Sequence, residues 1–137
     1  MSQEHKRVRL LNFSHPFSLE QVEQLESIVG RDVEVVDIDV QLDPALPLTP
    51  QVVDLVARVA SQPEDFIELP GLASAAVLVV TAFTGLHGHL PIIVRRGRTE
   101  SVPVTFEVRE LIDLDTVRNV TVRRTRDARR DAVPRKK

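Results

Sequence analysis

The sequence predicts an α/β protein with a Rossmann-like fold, a three-layer sandwich whose central sheet is mainly parallel. Short segments rich in valine, isoleucine and leucine alternate along the chain with segments of helical periodicity. The helical segments carry broad apolar faces, as helices that cover a sheet do. With 137 residues and no internal repeat, the chain is most simply one domain. We assign residues 1–120 to this domain and residues 121–137 to a basic extension whose end is expected to be disordered.

The first strand and the first helix have the clearest sequence signals. Apolar side chains in the segment 8–11 predict a short buried strand that ends in a polar loop. Ser18 followed by Gln21 is a capping-box pattern, and Gly30 is suited to end the helix. The segment 33–40 alternates apolar and acidic residues, which predicts a second strand with one face in water and an outer position in the sheet.

The middle of the chain predicts a proline-rich loop, a helix and a short strand. The loop 41–50 holds three prolines and cannot be regular. Thr49 is the expected N-cap, and Pro50 suits the first helical position because its missing amide has no partner there anyway. This helix is expected to end near Ser61, and a strand follows over residues 66–69.

The second half of the chain contains one ambiguous segment. Residues 73–83 have the valine content of a strand, but their length, their alanines and the following Gly85 favour a buried helix. The remaining predicted elements are strands at 90–94 and 104–110, a hairpin-like turn over 96–103, and a final helix from Asp113 or Asp115 to about Arg130.

The composition excludes several functional classes. The chain has no cysteine, so it has no disulfide, no thiolate nucleophile and no sulfur-ligated zinc or iron. It has no Trp or Tyr and only five Phe, which argues against an aromatic platform for long single strands. The glycine-rich, P-loop, esterase and metalloprotease motifs are missing, so no cofactor is expected. The polar N-terminus and the lack of a long apolar stretch predict a cytoplasmic protein without membrane contact.

Charge is distributed unevenly along the chain. Residues 121–137 hold eight Lys or Arg against two Asp, whereas residues 1–120 hold ten basic against eighteen acidic groups. The C-terminal segment is therefore a separate electrostatic unit, capable of weak contact with nucleic acid.

The first candidate site is the loop that follows the first strand. It consists of Asn12, Phe13, Ser14, His15 and Pro16, at the point where open α/β proteins place ligands. Polar side chains here, with the amino end of the first helix, suit a phosphate. In the alternative interpretation, Asn12 and Ser14 only satisfy loop backbone groups and His15 is an exposed side chain.

Three further groups of residues are expected at the same edge of the sheet. They are Gly71 in the turn P-G-L-A-S; His87, Gly88 and His89; and Arg95 and Arg96. Arginines on a strand rim can clamp phosphates, although a solvated turn has the same pattern. The histidines are candidates for acid–base chemistry or are ordinary loop residues, and without a third ligand they make no metal site.

Four segments, taken in order, resemble a small CRISPR-associated accessory family of type III loci, Csx-fifteen. They are L-L-N-F-S-H-P-F-S-L-E-Q-V-E-Q-L-E, D-V-Q-L-D-P-A-L-P-L-T-P-Q-V, L-P-G-L-A-S-A-A and G-L-H-G-H-L-P. The resemblance covers roughly residues 10–114 and leaves out the basic tail. That family is regarded as related to ring nucleases and other Rossmann-like sensors of cyclic oligoadenylate.

The resemblance implies a homodimer or larger assembly that binds cyclic tetra-adenylate between subunits and damps the signal. A ring nuclease aligns the ribose 2′-hydroxyl with the neighbouring phosphorus and needs no metal. A protein that only sequesters the ring holds it in an unreactive geometry. His15 is the one plausible catalytic acid or base, and the core has no lysine after Lys6. Binding without efficient turnover is therefore the favoured hypothesis.

Two hypotheses from other classes remain open. The first is an adaptor whose tail, R-R-T-R-D-A-R-R, binds nucleic acid or an acidic partner through counterion release. The second is an interaction module without a ligand.

Overall fold

The computed structural model describes residues 7–132 as alternating strands and helices that end in a long helix. In chain order the elements are β1 (Val8–Asn12), α1 (Leu19–Val29), β2 (Val33–Asp37), α2 (Leu48–Val59), β3 (Phe66–Glu68), α3 (Ala73–His87), β4 (Ile92–Arg98), β5 (Phe106–Asp113) and α4 (Leu114–Ala132).

The five strands form one sheet in the order β2-β1-β3-β4-β5. The pairs β1–β2, β1–β3 and β3–β4 are parallel, whereas β4 and β5 form an antiparallel hairpin. The mainly parallel Rossmann-like sheet and the outer position of the second strand are therefore confirmed.

Helices cover both faces of the sheet because successive strand residues point to opposite sides. Leu11 and Ile67 pack with α2 and α3 on one face, where Phe83 is fully buried. Leu10 packs with Leu25 of α1 on the other face. This arrangement gives the predicted three layers.

Two helices begin or end at residues other than those predicted from the sequence. Helix α3 continues past Gly85 to His87, and Gly88 ends it with a left-handed φ of 76°. The extra turn is held by a tertiary contact, since His87 Nε2 shares a hydrogen bond of 2.8 Å with Ser61 Oγ, which follows α2. Helix α2 begins at Leu48 rather than after Thr49.

The strands also differ in their bounds. The second strand leaves the sheet after Asp37 instead of continuing to Val40. Strand β4 extends to Arg98, through part of the predicted turn, because it pairs with β5 as far as Phe106.

Helix α4 is continuous from Leu114 to Ala132, close to the predicted range from Asp113 or Asp115 to about Arg130. It begins directly after β5, where Asp113 Oδ1 accepts hydrogen bonds from the amides of Asp115 and Thr116. The helix passes through residue 120, the expected domain boundary, and none of its residues is buried. The predicted disorder of the chain end concerns residues 133–137, which lie outside the described residues.

Candidate ligand-binding crevice

A crevice opens where the order of the strands reverses. Strand β1 lies between β2 and β3, and the connections that follow β1 and β3 lead to helices on opposite faces. The loops after these two strands therefore diverge at the carboxyl edge of the sheet, which is where open α/β proteins bind ligands.

The crevice has a volume of about 580 Å³ and mostly apolar walls. Its polar side chains are those of Ser14 and His15, and neither a lysine nor an arginine lines it among residues 7–132. The lining residues are Phe13, Ser14, His15, Ile38, Val40, Leu42, Pro44, Pro70, Gly71 and Leu72. Four of the predicted site residues, Phe13, Ser14, His15 and Gly71, are thus brought together.

Asn12 organises the loop from beneath rather than lining the crevice. Its side chain is buried, and its Oδ1 accepts a hydrogen bond from the Ser14 amide at 3.0 Å. Its Nδ2 donates to the His15 carbonyl and to Asp37 Oδ1, both at 2.9 Å. These bonds use both donor hydrogens of the Asn12 side chain and one acceptor position of its oxygen. Asn12 therefore satisfies loop groups, as the alternative interpretation held, and leaves the His15 side chain exposed.

The helix whose amino end faces the crevice is α3, not α1. Ser18 and Gln21 form both bonds of a capping box and close the amino end of α1. At the start of α3, the N-cap residue is Leu72, whose side chain makes no capping bond. First-turn amides have no partner within a helix, so they remain available to a ligand beside Gly71 and Leu72.

Arg96 holds the loop to the sheet. Its guanidinium donates to Glu68 Oε1 at 3.2 Å and to the carbonyls of His15 and Pro16 at 2.8 and 3.3 Å. It also lies 4.0 Å from the centroid of the Phe17 ring. Since the side chain is only 9% exposed, it is engaged in the fold and does not act as a free phosphate clamp.

Arg95 points to a different environment from Arg96. Its Nε donates to Glu110 Oε1 at 2.7 Å in an exposed cross-strand pair. Neither arginine lines the crevice.

The histidine segment lies at the opposite edge of the sheet, so the expectation of one shared edge was wrong. His87, Gly88 and His89 precede Ile92, the first residue of β4. His87 Nε2 and Ser61 Oγ share a hydrogen bond of 2.8 Å, and His89 Nδ1 donates to the carbonyl of Leu90 at 2.9 Å. These contacts give His87 a structural role at the end of α3 and His89 a structural role in the loop that follows.

Glu68 is the one buried acidic group with an unsatisfied atom in the described part of the chain. Its Oε2 has no hydrogen-bond partner there, whereas its Oε1 accepts from Arg96. Burial raises the pKa of Glu68, and the nearby Arg96 opposes this effect only in part.

The raised pKa of Glu68 predicts a pH-dependent stability. Because the folded state holds this proton more tightly than the unfolded chain, the free energy of unfolding falls as pH rises from about 4.3 through the raised pKa. Glu68→Gln has no such proton, so its stability relative to the wild type increases with pH across that window. Urea unfolding of both proteins at several pH values measures this difference. If the free energy of unfolding of Glu68→Gln, minus that of the wild type, stays constant or falls as pH rises, the raised pKa of Glu68 is contradicted.

Sequence reasoning missed six of the lining residues. Ile38, Val40 and Leu42 follow β2, where the sequence predicts a longer strand and then an irregular loop. The sequence could have indicated the uncapped start of α3. The residue before Ala73 is Leu72, and not one of the usual capping residues Ser, Thr, Asp or Asn.

Within residues 7–132, no three His, Cys, Asp or Glu side chains are grouped so that they could hold a metal ion. None of the helices in this range has the length and apolar composition needed to cross a membrane. Comparisons with protein-family models, curated proteins and solved structures found no match to this chain.

Proposed function

We propose that the crevice binds cyclic oligoadenylate, with cyclic tetra-adenylate as the expected ring, and that the protein damps a type III CRISPR signal by sequestration. The observation that carries the proposal is an apolar crevice at the strand-order reversal, with the uncapped amino end of α3 at its rim. The ordered sequence resemblance supplies the class of ligand.

The crevice offers separate environments for a base and for a phosphate. Phe13, Ile38 and Leu42 are apolar walls against which an adenine can pack, and Ser14 and His15 can hydrogen-bond to its polar edge. The amides at the start of α3 provide hydrogen-bond donors and a partial positive charge for a phosphate.

The size of the crevice supports a shared site. A volume of about 580 Å³ lies within the range of small-molecule pockets, which suits a nucleotide unit rather than a complete ring of four. A homodimer with a two-fold axis can bring two crevices to one ring, so that each subunit holds half of its roughly four charges.

The chemistry of the crevice favours holding over cutting. Cleavage by the 2′-hydroxyl needs groups that stabilise the charge developing on the phosphate. Arg96 and Arg95, the arginines predicted to clamp phosphates, are paired with Glu68 and Glu110. His15 is the only titratable side chain among the lining residues. Ring cleavage is therefore the alternative outcome of the same binding event.

His15 provides a prediction specific to the side chain. The backbone carbonyl of His15 accepts hydrogen bonds from Asn12 and Arg96 and so stabilises the loop, whereas the imidazole is exposed. His15→Ala should change the free energy of unfolding by less than about 0.5 kcal/mol. It should weaken cyclic tetra-adenylate binding about tenfold, or about 1.4 kcal/mol. Calorimetry that gives an unchanged affinity removes His15 from the site.

A ring series tests the proposed function. Labelled rings of three, four and six adenylates are incubated with the protein in gel-shift assays, and the products are then separated. We expect a shift with the ring of four, at one ring per two chains, and recovery of intact ligand. Rapid release of linear product with a 2′,3′-cyclic end would show that the protein is a ring nuclease and does not act by sequestration. No shift with any ring contradicts the proposal. Cytoplasmic localisation is part of it, because the messenger is made there.

A further inference from the structure

Helix α4 extends from the edge of the sheet opposite the crevice. Its first amide donates to the carbonyl of Pro91, the residue before β4, whereas the crevice lies at the far ends of β1 and β3. Its 19 residues correspond to a length of about 28 Å. Since none of them is buried, the core of the domain does not explain their composition.

The charged residues of α4 leave one uncharged stripe along the helix. Residues 114–132 include six arginines and three aspartates. Arg123, Arg126 and Arg130 follow an i, i+3, i+7 pattern and border one shallow hollow with Asn119. We call these three residues the arginine face. The opposite side of the helix carries only uncharged residues, namely Leu114, Val117, Thr121, Thr125, Ala128 and Ala132.

The arginine face is open to a ligand. Within the described residues, none of its three guanidinium groups forms an ion pair, even though Asp127 also borders the hollow. By contrast, Arg118 on the preceding turns lies 3.7 Å from Asp115. Guanidinium groups bind phosphate oxygens through paired hydrogen bonds, so a row of them matches a phosphate backbone.

We infer that α4 binds the phosphate backbone of duplex DNA through its arginine face, independently of base sequence. A bare helix about 10 to 12 Å wide fits the major groove of B-DNA, which is about 12 Å wide. The major groove of duplex RNA is too deep and narrow to admit it. Because residues 1–120 carry an acidic excess, the DNA contacts α4 and not the domain surface.

The opposite placement of the two sites makes them separable. DNA bound along α4 leaves the crevice free at the other edge of the sheet. This inference does not depend on the ligand of the crevice, and a variant of the arginine face should bind cyclic tetra-adenylate as the wild type does.

The test uses the full chain and a labelled 20-base-pair DNA in fluorescence anisotropy over a salt series. The triple variant Arg123→Gln, Arg126→Gln, Arg130→Gln removes the arginine face. The matched control, Arg7→Gln, Arg58→Gln, Arg98→Gln, removes the same charge from exposed arginines elsewhere. All six side chains are exposed, and circular dichroism checks that helix content is retained.

We expect at least tenfold weaker binding by the triple variant and less than a twofold change in the control. The slope of log K against log salt should become shallower by about 2.7, since each phosphate contact contributes about 0.9. Three results would overturn the inference: no binding by the wild type at 50 mM salt, equal losses in the two variants, or tighter binding of an RNA duplex of the same length.

Discussion

Leu72→Asp is expected to stabilise the fold and to abolish most of the binding of cyclic tetra-adenylate. Leu72 occupies the N-cap of α3 with the extended backbone that capping residues adopt, and its side chain is 48% exposed. An aspartate there accepts hydrogen bonds from the first-turn amides, which is worth about 1 kcal/mol of stability. The same bonds occupy the donors proposed for a phosphate, and the new charge repels it.

The binding loss should be about tenfold to a hundredfold, because hydrogen bonds to a charged group contribute about 1.5 to 3 kcal/mol. Thermal or urea unfolding measures the gain in stability, and calorimetry measures the loss of affinity. Leu72→Asn is the matched control, since it caps the helix without a charge, and it should weaken binding less than the aspartate. If Leu72→Asp is more stable but binds as the wild type does, the amino end of α3 is not the phosphate site.

Arg96→Met is expected to lower the free energy of unfolding by about 3 to 5 kcal/mol, the usual cost of removing one partner of a buried ion pair. The change leaves Glu68 buried without its charged partner and removes the bonds to the carbonyls of His15 and Pro16. The loop that forms one wall of the crevice then loses its attachment to β4. Urea unfolding measures the loss.

Two controls make the Arg96 prediction specific. Arg95→Met breaks the neighbouring exposed pair with Glu110 and should cost at most about 1 kcal/mol. The double variant Arg96→Met, Glu68→Leu removes both buried charges and should recover part of the loss. Equal effects of the Arg95 and Arg96 changes would show that Arg96 does not hold the loop.

Local signals in the sequence were sufficient for most of the fold. The Ser18–Gln21 capping box and Gly30 define α1 correctly because both ends are set by residues close in sequence. The end of α3 could not be predicted in the same way. Gly85 is a normal stop signal, but the helix continues to His87, whose hydrogen bond to Ser61 joins residues 26 positions apart.

The candidate site was predictable only in part. The sequence indicated the loop after β1, and Phe13, Ser14 and His15 do line the crevice. It did not show that Arg96 lies against Glu68, because that contact joins residues 28 positions apart. Nor did it show that His87 and His89 lie at the other edge, since this follows from the direction of β4 in the assembled sheet.

The most direct test of the proposed site is an NMR titration of the uniformly ¹⁵N-labelled protein with cyclic tetra-adenylate. The backbone amides of residues 13–15 and 71–75 surround the crevice and the start of α3. We expect the largest chemical-shift changes at these amides, with α4 unaffected. Changes confined to α4, or no changes at saturating ligand, would contradict a binding site at the strand-order reversal.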